Sequence, residues 1–337
     1  MNAYKSHWLT ILLLTGCPPA DAGTTTSSGD EDIMFPDEEA ALEPERHPAS
    51  DAVSAGERKL AGGDLPGAQA AFEGAIAATP EDPRAHLDLG LVLELQNDYP
   101  AAEASYRESL RLDPEFPEAL NNLGLLLRDQ QRPDEAAVLL DRAVTLRPQY
   151  GEAWLNLAFA REENGEIEGA KDAYQRAVRL LPEDAAARAN LGLIYLSLDN
   201  TDQAAIELRR ALPLARGDAP ALVAIGNGLR RAEQFDAAVR AMEMAIEASE
   251  PSPALLSELA LARRANDDGE GAERALTQAL AMDDSFATAH YLLGSMLAAR
   301  AEYGPAITHF ERYLALEPDG RYAERVTAHL AAARRMR

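Results

Sequence analysis

Apolar residues recur through most of the chain at the spacing of three and four residues that is typical of amphipathic helices. In one representative stretch, Leu120, Leu123 and Leu127 share one helix face. Residues 132–134 (Arg-Pro-Asp) have the composition of a turn, and a second apolar stripe follows over residues 136–144. The pattern predicts two helices joined by a tight turn.

This helix–turn–helix pattern recurs with a constant 34-residue period, which three columns of residues show. The first column holds small residues: Gly56, Gly90, Gly124, Ala158, Gly192, Gly226, Ala260 and Gly294. The second holds only alanine: Ala68, Ala102, Ala136, Ala170, Ala204, Ala238, Ala272 and Ala306. The third holds large apolar residues: Phe72, Tyr106, Leu140, Tyr174, Leu208, Met242, Leu276 and Phe310. A fixed period of this length is typical of a solenoid, whose hairpins bury their apolar faces by stacking.

The columns resemble the tetratricopeptide repeat, and eight such units fill residues 49–320 without insertion or deletion. The resemblance implies an all-α fold, a right-handed superhelical solenoid whose first helices line a concave groove. It also implies that the groove binds proteins or extended peptide segments.

Residues 321–337 are predicted to form a capping helix after the last unit. Tyr322, Val326 and Leu330 share one face of that helix, and basic residues occupy the other: Arg321, Arg325, Arg334, Arg335 and Arg337. A polar outer face keeps a terminal repeat soluble, and cations near a helix C-terminus complement its dipole. A basic tail that binds a partner is the alternative.

The N-terminus has the pattern of an export signal. Lys5 precedes a short apolar run over residues 8–14, whereas a membrane-spanning helix needs ~20 apolar residues. Residues 14–17 (Leu-Thr-Gly-Cys) resemble the lipobox of bacterial lipoproteins. The resemblance implies a lipoprotein signal peptide over residues 1–16 and lipidation of Cys17. An ordinary secretory signal with a chance cysteine, or an uncleaved anchor, is the alternative.

Pro18 follows the cysteine where an aspartate would favour retention in the inner membrane. The resemblance therefore implies a lipid-anchored protein of the bacterial cell envelope, at the outer membrane and facing the periplasm. Residues 17–48 are then a lipidated tether. They combine a Gly/Ser/Thr-rich stretch with a run of acids, a composition that predicts disorder. The tether either lets the repeats stand off from the membrane or is a spacer with no recognition role.

Charge and cysteine content exclude several classes of function. The net charge is −24, whereas a nucleic-acid-binding protein needs a basic stripe, so binding to nucleic acid is not expected. The single cysteine excludes intramolecular disulfides and cysteine metal clusters. No nucleophile elbow, phosphate-binding glycine loop or zinc-binding HExxH is present. We therefore expect no enzyme activity, no cofactor and no metal. His86 and His290 fall in the apolar column that contains Trp154, and packing roles are expected for them.

Three consecutive first helices carry asparagine at the same position: Asn122, Asn156 and Asn190. In similar arrays such asparagines form a ladder along the groove. An amide both donates and accepts hydrogen bonds, so it suits an extended peptide backbone. The alternative is that asparagine is simply common at this position of the repeat.

One turn further along the first helices, apolar residues are predicted to project into the groove: Leu91, Leu125, Phe159, Leu193 and Leu261. Exposed apolar side chains there would indicate that a partner covers them, with Phe159 as the best anchor. The alternative is that they pack between neighbouring helices.

Charge along the predicted groove is mixed, because acids in the fourth unit contrast with Arg230, Arg231 and Arg264 in the sixth and seventh units. Asn121 and Asn122 resemble part of a clamp for a C-terminal carboxylate. Glu118 stands where that clamp needs a base, so capture of a C-terminal carboxylate is not predicted.

The sequence therefore predicts a membrane-anchored periplasmic scaffold that assembles or stabilises a cell-envelope multiprotein complex, in pilus, secretion, motility or peptidoglycan machinery. The alternative is a substrate-recruiting, non-catalytic subunit of an envelope enzyme or transport system. Repeats of this kind do not encode the identity of the partner.

Overall fold

A computed structural model describes residues 48–337. This part of the chain is all-α, with seventeen helices and no strand among the described residues. It divides into two compact units, of which the first ends at Leu126 and the second begins at Leu127. The signal peptide, Cys17 and all but the last residue of the predicted tether lie outside the described residues.

Sequential helical hairpins build the first unit. Its helices are α1 (Pro48–Ala61), α2 (Leu65–Ala78), α3 (Pro83–Leu95), α4 (Tyr99–Leu112) and α5 (Pro117–Asp129), the last of which ends in the second unit. Each of α1, α2 and α3 packs on the helix that follows it. Phe72, Val53 and Val92 belong to the core that these helices enclose.

Five complete hairpins follow in the second unit, after a leading helix. The helices are α6 (Pro133–Leu146), α7 (Gly151–Glu163), α8 (Ile167–Leu180), α9 (Ala185–Ser197), α10 (Thr201–Ala211), α11 (Ala219–Arg231), α12 (Phe235–Ala248), α13 (Pro253–Ala265), α14 (Gly269–Met282), α15 (Ala287–Ala299), α16 (Tyr303–Leu316) and α17 (Ala323–Met336). Each first helix packs on its second helix, and α17 packs on α16. The predicted all-α repeat fold with a C-terminal helix is confirmed.

The residues of the columns that reveal the period make the contacts that hold each hairpin together. All eight residues of the alanine column and all eight of the large apolar column are fully buried. A Cβ atom at Gly90 would lie 2.6 Å from the Tyr106 ring, and one at Gly192 would lie 2.6 Å from Leu208 Cγ. Glycine is required there because the first helix approaches the large residue of the second helix too closely for a side chain.

One left-handed residue follows the first helix of every 34-residue repeat. This column has φ between +55° and +78°: Gly63, Asn97, Gln131, Gly165, Asp199, Glu233, Asp267 and Ala301. In the fourth repeat Gly165 N donates to Glu162 O at 2.9 Å, and Glu166 N donates to Arg161 O at 2.8 Å. This pair of bonds is a Schellman motif, which satisfies carbonyls at the end of the helix and turns the chain into the second helix.

Candidate protein-binding surface

Apart from Cys17, Arg230 and Arg231, the predicted site residues occupy two adjacent columns of the first helices, whose members are separated by whole repeats. We call Asp88, Asn122, Asn156 and Asn190 the ladder column. We call Leu91, Leu125, Phe159, Leu193 and Leu261 the apolar column. Because residues three apart on a helix are neighbours, each member of the apolar column lies one turn beyond the ladder position of its own helix. The members that fall in the first unit lie on α3 and α5, and the others lie on α7, α9 and α13.

In the first unit the ladder column belongs to a network of polar side chains centred on Tyr106. The Tyr106 hydroxyl donates to Glu94 Oε2 at 2.9 Å, and Asn122 is a further hydrogen-bonding partner of this hydroxyl. Asn121 Nδ2 donates to Asn122 Oδ1 at 3.2 Å. Burial, with the charge of Glu94 adding to it, raises the pKa of Tyr106 well above its ordinary value. The phenol therefore stays protonated and remains a hydrogen-bond donor.

Asp88, the first member of the ladder column, lies beside this network with an unsatisfied carboxyl oxygen. Its Oδ2 is buried and has no hydrogen-bond partner. Burial raises the pKa of Asp88 from 3.8 to about 7; the Arg84 charge opposes this effect, and Glu57 and Asp82 add to it. Burying an unpaired carboxylate is costly, so the neutral form is favoured.

Two of the three asparagines of the predicted ladder are largely covered by the surrounding protein. Asn122 and Asn156 are 7% and 9% exposed, so a partner could reach only a small part of either side chain. Asn190, on α9, is half-buried. Asn122, on α5, is largely covered and contacts the Tyr106 hydroxyl of α4, so its amide contributes to packing between these two helices.

Every member of the apolar column is half-buried, which leaves part of each side chain at the surface. Leu91 packs against the core of the first unit, and Leu193 and Leu261 pack against that of the second. Phe159 meets the Tyr174 ring edge-on at 5.6 Å, and the Arg128 guanidinium lies 5.1 Å from the Phe159 ring centre. These side chains both pack between helices and contribute surface, so the two interpretations of the column are compatible.

Arg230 and Arg231 end α11. Asn227 holds the position of the apolar column on this helix, and Arg230 lies one turn beyond it. Arg230 is half-buried, and its Nη2 donates to Asn227 Oδ1 at 3.3 Å, whereas its Nε is buried with no hydrogen-bond partner. Arg231 is exposed. Within residues 48–337 neither arginine forms an ion pair. Positive charge is therefore available at this end of α11.

Two features of the repeats were not predicted from the sequence, although both follow the repeat register. Asp88 lies one repeat before Asn122 and holds the same position, but because it is a different residue type the repeated asparagines do not reveal it. The column of Trp154 is also more than apolar packing. Trp154 Nε1 donates to Pro148 O at 3.0 Å, and Arg188 Nε donates to Pro182 O at 2.8 Å.

The two histidines of that column make the same contact. His86 Nε2 lies 3.1 Å from Pro80 O, and His290 Nε2 lies 3.0 Å from Asp284 O. In each case the side-chain nitrogen meets the carbonyl oxygen six residues earlier. The polar tip thereby fixes the loop that precedes each first helix.

Among the described residues, no three histidine, cysteine or acidic side chains lie close enough to hold a metal ion. None of the helices over residues 48–337 has the length and apolar content that crossing a bilayer requires.

Solved structures with a similar fold include PilW, PilF and the Cut9–Hcn1 complex. PilW, a widely conserved type IV pilus biogenesis factor, is 20% identical with a TM-score of 0.54, covering 64% of this chain and 97% of PilW. PilF of Pseudomonas aeruginosa is 19% identical with a TM-score of 0.51, covering 61% and 93%. Cut9–Hcn1 of the APC/C is 20% identical with a TM-score of 0.50, covering 82% of this chain and 55% of that one. At these identities the likeness shows the fold alone.

No curated protein matches the chain. A family model described as tetratricopeptide repeat matches residues 53–117, 96–151, 155–219 and 257–321. A second model with the same description matches residues 127–177. These matches cover well over half of the sequence and agree in period with the helical hairpins. The chain belongs to the tetratricopeptide repeat family.

Proposed function

We propose that the protein is a lipid-anchored scaffold of the bacterial cell envelope that binds other proteins and assembles or stabilises a multiprotein complex. The apolar column carries the protein-binding part of this proposal. Its side chains recur with the repeat period on the first helices and keep surface available in both units. Aromatic side chains such as Phe159 are enriched at the cores of protein interfaces, and the leucines around it add apolar surface that excludes water there.

The anchor is supported by the sequence around Cys17, which resembles a lipobox. Several acyl chains on one residue hold a protein firmly at a membrane, since each buried methylene contributes ~0.8 kcal/mol. The acidic segment that follows would give the repeats reach toward a partner in the periplasm. Pro18 favours the outer membrane over the inner.

The kind of complex is suggested by the proteins of similar fold. PilW, whose fold is similar, is a type IV pilus biogenesis factor. Pilus assembly is therefore the first candidate among pilus, secretion, motility and peptidoglycan machinery. A substrate-recruiting subunit of an envelope enzyme or transporter remains the competing assignment, and the captured partner decides between them.

The first experiment is fractionation of cells that express the full chain or its Cys17→Ser variant. We expect the parent chain in the outer-membrane fraction and the variant in the soluble periplasmic fraction, because the variant has no thiol to accept the lipid. Ser27→Ala, a neighbouring change that keeps Cys17, is the matched control and should stay with the membrane. If Cys17→Ser also stays in the membrane fraction, the lipid anchor is wrong.

The second experiment is affinity capture of the detergent-extracted chain after crosslinking in cells, with partners identified by mass spectrometry. Phe159→Ala should reduce recovery of the partner about tenfold, the loss typical of an aromatic anchor. Val138→Ala, at an exposed position of α6, is the control and should leave recovery unchanged. Structural envelope components in the eluate support assembly, whereas a hydrolase or transporter subunit supports the alternative. If nothing is recovered specifically, the scaffold function is wrong.

A further inference from the structure

Three arginines occupy the C-terminal end of two neighbouring first helices in the second unit. Arg230 and Arg231 end α11, and Arg264 lies near the end of α13, one repeat after Arg230. The two helices pack against each other, so Arg230 and Arg264 hold equivalent positions on adjacent hairpins. We call Arg230, Arg231 and Arg264 the arginine cluster.

The arginine cluster has no carboxylate partner within the described residues. Arg231 and Arg264 are exposed, and the Arg230 Nε is buried without a hydrogen bond. Arg263, the neighbour of Arg264 on α13, shows the contrast, because its guanidinium contacts Glu243 at 3.0 Å and Asp268 at 3.9 Å. In a chain of net charge −24, arginines left without an acid leave local positive charge unneutralised.

Apolar surface lies beside the arginine cluster. Leu193 of α9 approaches α11 at Gly228, where an added Cβ would lie 3.0 Å from Leu193 Cδ2. Gly228 precedes Arg231 by one helical turn, so Leu193 meets α11 one turn before the arginines that end this helix. Leu261 precedes Arg264 by one turn in the same way and is half-buried. Each of α11 and α13 therefore combines a guanidinium with adjacent apolar surface.

The spacing of the two helices sets the spacing of groups on a ligand. Packed helices lie about 8–10 Å apart, and an extended peptide advances about 3.3 Å per residue. Carboxylates two or three residues apart on an extended segment would therefore reach Arg230 and Arg264 together. A leucine or similar residue between them would lie on the apolar surface.

We propose that the arginine cluster, with Leu193 and Leu261, is the docking surface for an extended acidic segment of a partner protein. Charge complementarity selects this occupant, because guanidinium groups pair with carboxylates through two parallel hydrogen bonds. The inference rests on the proposed scaffold function and names the chemistry of its partner. It concerns side-chain carboxylates of the partner, bound at the sixth and seventh repeats. It does not concern capture of a C-terminal carboxylate, which Glu118 argues against.

The test measures fluorescence anisotropy of a labelled peptide of repeated Glu-Ser-Leu triplets with the full chain in detergent. The matched peptide of Gln-Ser-Leu triplets should bind at least about tenfold more weakly, since it lacks the charge. Binding of the glutamate peptide should weaken as salt rises, because exposed charges are screened within about 8 Å at physiological ionic strength.

The variant Arg230→Gln/Arg264→Gln should weaken binding of the glutamate peptide by about tenfold or more. The control Arg209→Gln/Arg240→Gln removes the same charge from exposed positions on α10 and α12 and should stay within about twofold. Equal binding by the first variant and the parent, or equal binding of the glutamate and glutamine peptides, would overturn the proposal. The peptide comparison on the parent chain decides the matter if the double variant does not fold.

Failure of this inference is distinguishable from failure of the scaffold function. If a captured envelope partner binds Arg230→Gln/Arg264→Gln as well as the parent chain, the scaffold stands and the acidic docking surface is wrong. If no partner is captured while the glutamate peptide still binds through these arginines, the docking surface stands and the scaffold assignment fails.

Discussion

Asp88 places a carboxyl group among helices that leave one of its oxygens without a hydrogen bond. Its pKa is raised to about 7, above the ordinary 3.8, so the folded protein holds a proton between these values that the unfolded chain releases. The favourable contribution of the protonated group is complete below pH 4 and is lost as pH rises through 7. At pH 8 Asp88 therefore lowers the free energy of unfolding.

We expect Asp88→Asn to raise the free energy of unfolding by roughly 2–4 kcal/mol at pH 8 and to change it little at pH 4. The amide removes the buried negative charge while keeping the shape of the side chain. Urea unfolding at the two pH values measures the difference. Asp172→Asn, at an exposed site on α8, is the control and should show no such pH dependence. A gain that is equal at both pH values would mean that ionisation of Asp88 is not the cause.

Sequence patterns predict residues best where packing restricts the residue type. The alanine column could be found because no larger side chain fits at a fully buried helix contact. The surface exposure of Asn122 and Asn156 could not be found, because a helix position does not state how closely the neighbouring helices cover it. Asp88 holds the position of the ladder column, but its residue type differs from that of the asparagines. A comparison of residue types therefore does not find it, whereas the repeat period does.

At the scale of the element, the ends of the first helices depend on one left-handed residue in each repeat. That column holds Gly, Asn, Gln, Asp, Glu and Ala, so no residue type marks it in the sequence. Only backbone geometry, repeated with the period, identifies it. Residues other than glycine are strained in this conformation by about 1 kcal/mol or more, which makes the column a place where stability can be gained.

We expect Ala301→Gly to raise the free energy of unfolding by about 0.5–1 kcal/mol, because glycine adopts φ of +62° without strain. Gly165→Ala should lower it by about 1 kcal/mol, and conformation alone is the cause since no atom lies within 4 Å of the added Cβ. The matched control is Gly269→Ala, equally unobstructed but at the start of α14, which should be neutral or slightly stabilising. Chemical denaturation of the three variants measures these differences, and a loss at Gly269 equal to that at Gly165 would refute the conformational explanation.

At the scale of the whole molecule, a repeat array must close its last apolar face. In the second unit α17 does so, with Val326, Leu330 and Ala333 buried on its inner side. The Tyr322 ring stacks on Tyr291 at 4.4 Å, and the Tyr322 N–H donates to the Tyr313 hydroxyl at 3.0 Å. The outer side of α17 carries exposed basic residues, as the sequence predicted. The helix thus replaces the next repeat with a polar surface.

Loss of this cap should turn the terminal hairpin into an association surface. We expect Val326→Asp to detach α17, because a carboxylate at a fully buried position cannot be accommodated. The exposed apolar face of α16, which includes Phe310 and Tyr313, should then drive concentration-dependent self-association, measured by analytical ultracentrifugation. Ala328→Asp adds the same charge at an exposed position of α17 and should leave the sedimentation of the parent chain unchanged. If Val326→Asp sediments like Ala328→Asp while losing helix content, the terminal hairpin does not need α17 to stay soluble, and the basic side of α17 would be better explained by binding to a partner.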